Sequence, residues 1–261
     1  MKITMYRADA FTNGPFTGNP AAICPLQNWL SDETMRNIAM ENNLSTTAFY
    51  IKEGNGYYIR WFTPTFELEL NGNATLATAH ILMQHEGHQE NEIQFNSKSG
   101  LLTVKKLGDY LTLNFPADEY ERVKTPAELS ISLNIRPTEC YQGKTDYMLV
   151  YNSEQDILKL KPNFRAMSLV DARGVIVTAP GTKSDFVSRF FAPQHGIKED
   201  SVTGSAHVTL TPYWAEKLNK KDLTAIQLSK RTGHLKCTAL GNRVEISGQA
   251  ITYLKADIFV N

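Results

Sequence analysis

Arg60-Trp61-Phe62-Thr63-Pro64 is echoed in the second half of the chain by Arg189-Phe190-Phe191-Ala192-Pro193. Laid over each other without a gap, the two stretches also bring the apolar run Thr47 to Ile51 onto Ile176 to Ala179. With about three extra residues in the second half, Asn71-Gly72-Asn73-Ala74 then falls over Thr203-Gly204-Ser205-Ala206. Each half reads strand, turn, strand, proline-containing connection, glycine turn, helix. A duplication of that unit predicts two similar lobes facing each other, with Gly-initiated helix N-termini at corresponding places. Glycine at a helix start lets a ligand approach the backbone, and the unsatisfied N–H groups and the helix dipole favour an anion there. A carboxylate is the expected guest.

Working outward, Lys2 to Asp9 and Pro20 to Pro25 read as strands. Ser31 reads as the cap of a helix with Asp32 and Glu33 in its first turn, ending near Asn42 and Asn43. The runs 47–52 and 57–63, separated by Gly54 and Gly56, predict a hairpin, and 67–70 a brief extended piece. Ala74 to Met83 is small or apolar on nearly every side, which predicts a helix buried all round. Strands follow at 92–95, 101–106 and 110–115, and the polar, proline-flanked stretch 116–126 reads as a linker. Beyond it we expect a helix over 126–133, strands at 147–151, 175–178 and 186–191, and a helix from Thr203 to Leu218. Pro212 removes one backbone donor from that helix and predicts a kink or a later start. Strands at 235–240, 243–247 and 251–255 complete the chain. The expected division is an N-terminal lobe, 1–117, and a C-terminal lobe, 126–261, whose final strands are candidates to pack back on the first lobe.

The 261 residues are 42% hydrophobic and 21% charged, an ordinary globular composition with enough chain for a substantial core. Lys plus Arg and Asp plus Glu both number 27, so no single-sign field exists to attract nucleic acid or anionic lipid, and a small-molecule partner is expected. The three cysteines, Cys24, Cys140 and Cys237, are too scattered for a metal or redox motif and read as reduced, structural thiols. No apolar run approaches the roughly 20 residues needed to span a bilayer, and the start of the chain lacks a signal core. A cytoplasmic protein is the expectation.

Gly18-Asn19-Pro20-Ala21-Ala22, Asn43-Leu44-Ser45, Gly72 with Ala74-Thr75-Leu76-Ala77, and Glu199-Asp200 with Thr203-Gly204-Ser205-Ala206-His207 together resemble the phenazine-biosynthesis (PhzF-like) isomerase family. Asp9-Ala10-Phe11, Arg231 with Gly233, and Val244 to Gly248 agree with it. The resemblance implies an α+β, diaminopimelate-epimerase-like fold: two pseudo-symmetric lobes, each a curved mixed β-sheet wrapped around a central helix. It further implies cofactor-independent proton transfer at carbon in a small or cyclic carboxylate, and commonly a homodimer.

The chain departs from the family's pattern where the chemistry is expected. The glutamate that typically follows Asn-Leu-Ser, the family's acid-base group, is Thr46 here. The usual Cys-Gly-His at the first glycine turn is Asn71-Gly72-Asn73, and the proline after the acidic pair is Ser201. Abstracting a proton from carbon needs a group titrating near the working pH, so Thr46 is not the base, and its absence removes about 10²–10⁴-fold in rate. Racemases of this fold use opposed thiols at the two turns; those positions are Asn71 and Thr203, which excludes that mechanism.

Asp200 is the surviving acid-base candidate, against the alternative of a solvated loop acid. Gly72 and Asn73 in one half, and Gly204, Ser205 and Ala206 in the other, are substrate-binding candidates with Asn71 and Thr203; the alternative is ordinary helix capping. His207 either reaches the ligand or is satisfied inside its lobe. His195 has no assigned role, and Glu41, Glu67 and Glu69 are weak replacements for the base, Glu67 and Glu69 being expected to face solvent. His85 and His88 read as surface residues rather than metal ligands. Two functions stand: a PhzF-like isomerase acting on a small carboxylate, and a catalytically impaired relative that binds a metabolite.

Overall fold

The computed structural model describes residues 1–260, in two compact units. The first comprises Met1–Asn114 and the chain from Ser247 onward; the second is Phe115–Ile246.

In the first unit, β1 (Lys2–Ala10) and β2 (Asn19–Pro25) pair antiparallel, and α1 (Asp32–Asn42) carries the chain to β3 (Thr46–Glu53), which runs parallel to β2. Ser31 caps α1 by accepting from the Thr34 N–H, and Asn43 ends it in the left-handed conformation, as the sequence leads one to expect. β4 (Gly56–Phe62) completes the hairpin and β5 (Glu67–Leu68) is brief. Next come α2 (Gly72–His85), β6 (Glu92–Ser97), parallel to β4, and the antiparallel β7 (Gly100–Leu107) and β8 (Tyr110–Pro116). The sheet curves around α2, which touches β1, β2, β3 and β7. Eight of its residues from Ala74 to Leu82 are buried, and the hydroxyls of Thr75 and Thr78 donate to the carbonyls of Asn71 and Ala74, four residues back, so neither is left unsatisfied inside the apolar wrap.

The second unit starts with β9 (Tyr120–Arg122) and α3 (Ala127–Ser132). β10 (Glu139–Gly143) and β11 (Asp146–Val150) follow, then the short helices α4 (Glu154–Lys159) and α5 (Phe164–Met167) and the hairpin β12 (Gly174–Pro180) and β13 (Phe186–Phe191). A 3₁₀ turn over Gly204–Ala206 leads into α6 (His207–Leu218), and β14 (Asp222–Gln227), β15 (Gly233–Ala239) and β16 (Arg243–Gly248) close the unit. β17 (Ala250–Phe259) returns to the first unit, where it pairs antiparallel along β1. The stretch 116–126 is therefore no free linker: β9 within it pairs with β10, because its backbone groups find a sheet edge.

The two units share one wiring. β2, β3, β4 and β6 run parallel, antiparallel, parallel in succession, and so do β11, β12, β13 and β14. β17 flanks β1 as β9 flanks β10. The fold is α+β with two pseudo-symmetric lobes. The register also corrects the ungapped repeat: Arg60 pairs with Phe49, whereas Arg189 pairs with Val177, so Phe49 corresponds to Val177 rather than to Thr178. A one-residue slip moves a strand's side chains to the opposite face, which the apolar pattern alone did not reveal because both faces of these strands are buried.

The decisive stretch now has a physical meaning. In each lobe its arginine lies over the phenylalanine two residues on, Arg60 at 5.1 Å from the Phe62 ring and Arg189 at 5.0 Å from Phe191. Each arginine also holds a glutamate bidentately on the way to the glycine turn, Glu67 at 2.7 and 2.8 Å and Glu199 at 2.7 and 3.1 Å. Glu67, which also receives Lys98, is thus a half-buried ion-pair partner rather than the solvent-facing acid that alternation suggests. Pro212 lies inside α6 as expected; α6 starts at His207, after the 3₁₀ turn, and the Val208 carbonyl that lacks a helical donor accepts from the Asp118 N–H at 3.1 Å instead.

Candidate functional site

In the first lobe, Thr46 opens β3 and Asn71 caps α2, and the two side chains meet. The Asn71 amide donates to Thr46 Oγ1 at 3.0 Å, while its oxygen accepts from the Ala74 N–H at 2.8 Å. Thr46 is 3% exposed. Both ends of the Asn71 amide are thus engaged inside the lobe, one closing the helix start and the other anchoring the strand where the family glutamate would stand. Gly72 and Asn73 follow, half-buried. Gly18-Asn19-Pro20 and Asn43-Leu44-Ser45, far apart in sequence, also come together here: the Ser45 hydroxyl lies 3.0 Å from Asn19 Oδ1 and donates to it.

In the second lobe the counterpart turn is built differently. Thr203 precedes the 3₁₀ turn but does not cap it; its hydroxyl donates to Asp200 Oδ2 at 2.6 Å. Gln227, at the end of β14 and fully buried, is the hub beneath. Its oxygen accepts from the Thr203 N–H at 2.8 Å, and its Nε2 donates to the Asp200 carbonyl at 3.0 Å and to Thr203 Oγ1 at 3.2 Å. Asp200 and Thr203 are thereby held from below, and Ser205 in the turn Gly204–Ala206 is exposed. The backbone of Gly233 must approach closely as well: a Cβ there would sit 2.1 Å from Val202 Cγ2, between Asp200 and the turn.

His207 is buried inside the lobe. Its Nδ1 donates to the Thr203 carbonyl at 2.9 Å, its ring tilts against Phe186, and burial pushes its pKa down to about 4, so it is a neutral packing residue. The ion pairs to Arg60 and Lys98 hold Glu67 below the usual carboxylate range, which removes it as a replacement base. His85 shares Thr252 Oγ1 with His80, each at 2.9 Å, and His88 bonds the Glu92 carbonyl; among the described residues no cluster of histidine, cysteine or carboxylate ligands has the makings of a metal site. All three cysteines are buried and free, with burial pushing the Cys24 and Cys237 thiols up to about 12, and none occupies a glycine turn.

Two residues of this neighbourhood have no signal in the sequence. Gln227 ends a strand that the sequence reading did not mark. Arg173, just before β12, donates through Nη1 to Ser205 Oγ at 2.8 Å and through Nε and Nη2 to the buried carboxylate of Asp146. The parallel pairing of β11 with β12, which sets Asp146 opposite Gly174, brings Arg173 to Asp146.

No helix of the described chain is long and apolar enough to cross a membrane. An uncharacterized isomerase of Pseudomonas aeruginosa is 47% identical over 252 residues, 96% of each chain. The crystal structure of a PhzF-family phenazine biosynthesis protein from Enterococcus faecalis superposes with a TM-score of 0.97 at 44% identity, covering 100% of both chains. A hydroxyproline epimerase from Agrobacterium vitis shares the fold alone, with a TM-score of 0.63 at 11% identity over 98% of this chain and 92% of its own. The phenazine biosynthesis-like protein (PhzC-PhzF) family model matches residues 8–256, and with these likenesses along its whole length the chain belongs to that family.

Proposed function

We propose that the protein is a cofactor-independent isomerase that moves a proton between carbons of a small or cyclic carboxylate. Asp200 exchanges the proton, and the turn Gly204-Ser205-Ala206 receives the carboxylate. The observation that carries this reading is the acid of the second lobe: Asp200, held by Thr203 and Gln227 just before the turn Gly204–Ala206 that opens α6. Family membership and the isomerase naming of the Pseudomonas relative support it. A cytoplasmic homodimer is the working form that accompanies it. The test is NMR-detected incorporation of deuterium from D₂O into a panel of small and cyclic carboxylates, comparing the intact protein with Asp200→Asn. Exchange that disappears in the variant is the expected result; exchange that persists at the same rate overturns the role of Asp200.

A second reading is favoured by one specific observation. Thr46 and Asn71 are locked to each other where the family places a glutamate and a thiol, which leaves the first lobe without an ionisable group at that spot. On that reading the protein is a metabolite-binding relative, and a carboxylate binds without exchanging its protons.

A further inference from the structure

β17 ladders with β1 along one edge, and none of its 10 residues is buried. The backbone groups on its other edge follow from that pairing. The Val260 N–H donates to the Met1 carbonyl at 2.8 Å, and the amino group of Met1 donates to the Val260 carbonyl, so Val260 turns both of its backbone groups toward β1. Alternation along an antiparallel ladder turns Ile258, Ala256 and Leu254 the same way, up to the bulge opposite Arg7 and Ala8. Phe259, Asp257 and Lys255 therefore aim N–H and C=O away from β1. A row of donors and acceptors in that position is a template for a further strand.

Proteins block such edges with proline, bulges or charge. Here the bulge lies toward one end, and Leu254-Lys255-Ala256-Asp257-Ile258 carries neither proline nor glycine and two charges of opposite sign. Laid antiparallel on a second copy about Ala256, this stretch covers itself completely. Lys255 falls opposite the partner's Asp257, Asp257 opposite the partner's Lys255, and Leu254 opposite the partner's Ile258. The outward-facing groups of Lys255 and Asp257 then form the hydrogen-bonded pairs, each exchanging both N–H···O bonds. Ala256 takes the non-hydrogen-bonded pair on the two-fold axis, where Cα atoms approach to about 4.5 Å and a small side chain fits. Centring the pair on Lys255 or Asp257 instead sets like charges directly opposite each other, which is destabilising. The Lys2–Asp257 pair within the chain, 2.9 Å long and exposed on both sides, does not compete, since a carboxylate accepts from more than one donor. Apolar groups flank the seam: Leu254 is 40% and Phe259 78% exposed, and Tyr253, 55% exposed, has Arg7 over its ring and Phe16 edge-to-face against it.

We infer that β17 is the self-association edge of this protein: a second copy of the chain adds its own β17 antiparallel, about a two-fold axis at Ala256, and continues the first-unit sheet from one protomer into the other. An isologous contact of this kind closes at two copies. The inference rests on the homodimeric form proposed above and locates its seam. The test combines sedimentation velocity with amide hydrogen exchange, on the intact protein, Lys255→Asp, Asp257→Lys and an equimolar mixture of the two variants. Each substitution alone puts like charges opposite each other at both positions of the seam. A mixed pair of the two variants sets opposite charges there again.

The expected result is a dimer for the intact protein, self-association weakened by about tenfold or more in each variant, and a dimer again in the mixture. The Lys255 and Asp257 amides should be protected in the dimer and lose that protection on dilution to monomer, while the Leu254 and Ala256 amides, bonded to β1, keep theirs. A merely destabilised fold does not reproduce this, because mixing cannot rescue two unfolded chains. A protein that stays monomeric at the highest concentration at which it remains dissolved overturns the homodimer and this inference with it. A dimer whose Lys255 and Asp257 amides exchange freely, or that both variants form with undiminished affinity, overturns the seam at β17 and leaves the homodimer standing on another surface. Variants that dissociate alone and do not recover on mixing overturn the register about Ala256, and the inference falls.

Discussion

Gln227→Leu is the sharpest test of the reasoning about the second-lobe site. The side chain is fully buried and makes three hydrogen bonds, one accepted from the Thr203 N–H and two donated, to the Asp200 carbonyl and Thr203 Oγ1. Leucine keeps a similar volume, so the cost comes from lost bonds rather than from a cavity. The Thr203 N–H loses its bond to the Gln227 oxygen, and stranding a buried donor costs about 1–3 kcal/mol. The two lost donations contribute less each, since an acceptor left without one donor costs less than a stranded N–H and the Thr203 hydroxyl keeps its bond to Asp200. The total comes to about 2–4 kcal/mol. Urea denaturation reads it as a lower midpoint with an unchanged slope, and amide hydrogen exchange localises it: Thr203 should lose protection well before residues of β12 do. Because Asp200 is held through the same hub, carboxylate exchange should fall in parallel. A variant with the midpoint of the intact protein and a still-protected Thr203 amide would refute the claim that Gln227 holds the site.

His207 makes the fold acid-sensitive in a defined window. Burial holds its pKa near 4 against the ordinary 6.5, so the unfolded chain takes up a proton at a higher pH than the folded one, and stability is lost as pH falls from about 6.5 to about 4. The full loss is on the order of 3 kcal/mol, and His207→Gln should flatten that part of the stability-versus-pH curve, to which His80 and His234, shifted the same way by burial, also contribute; a curve of unchanged slope counts against it. Thr46→Glu restores a carboxylate beside the Asn71 amide and should raise carboxylate proton exchange by about 10²–10⁴-fold. A folded Thr46→Glu protein with unaltered exchange would show that this position no longer faces the reacting ligand.

The sequence by itself was enough for most of the first-lobe elements and for the existence of the duplication. The Ser31 cap, the all-round apolar 74–83 segment and the paired Arg-x-Phe stretches encode their structures through contacts a few residues apart, or through a pattern that any fold must bury. The family could be recognised because its glycine turns and acidic pair sit in contiguous runs. It also showed that Thr46 and Asn71 lack the expected chemistry, since that follows from residue type alone. The one-residue offset of the repeat was hidden, because strands buried on both faces carry no alternation to set register. The strand in 116–126 was hidden as well: its partner, β10, is far away in sequence and was itself unmarked. Arg173, Asp146 and Ser205 are widely separated in the chain, and Gln227 is one polar residue at the end of a short strand. Sheet pairing alone brought these side chains within hydrogen-bonding distance, and a hydrogen bond depends on distance and direction that residue identity does not carry. The sequence thus determined which groups exist and which lobes they belong to, while the tertiary structure decided which of them meet.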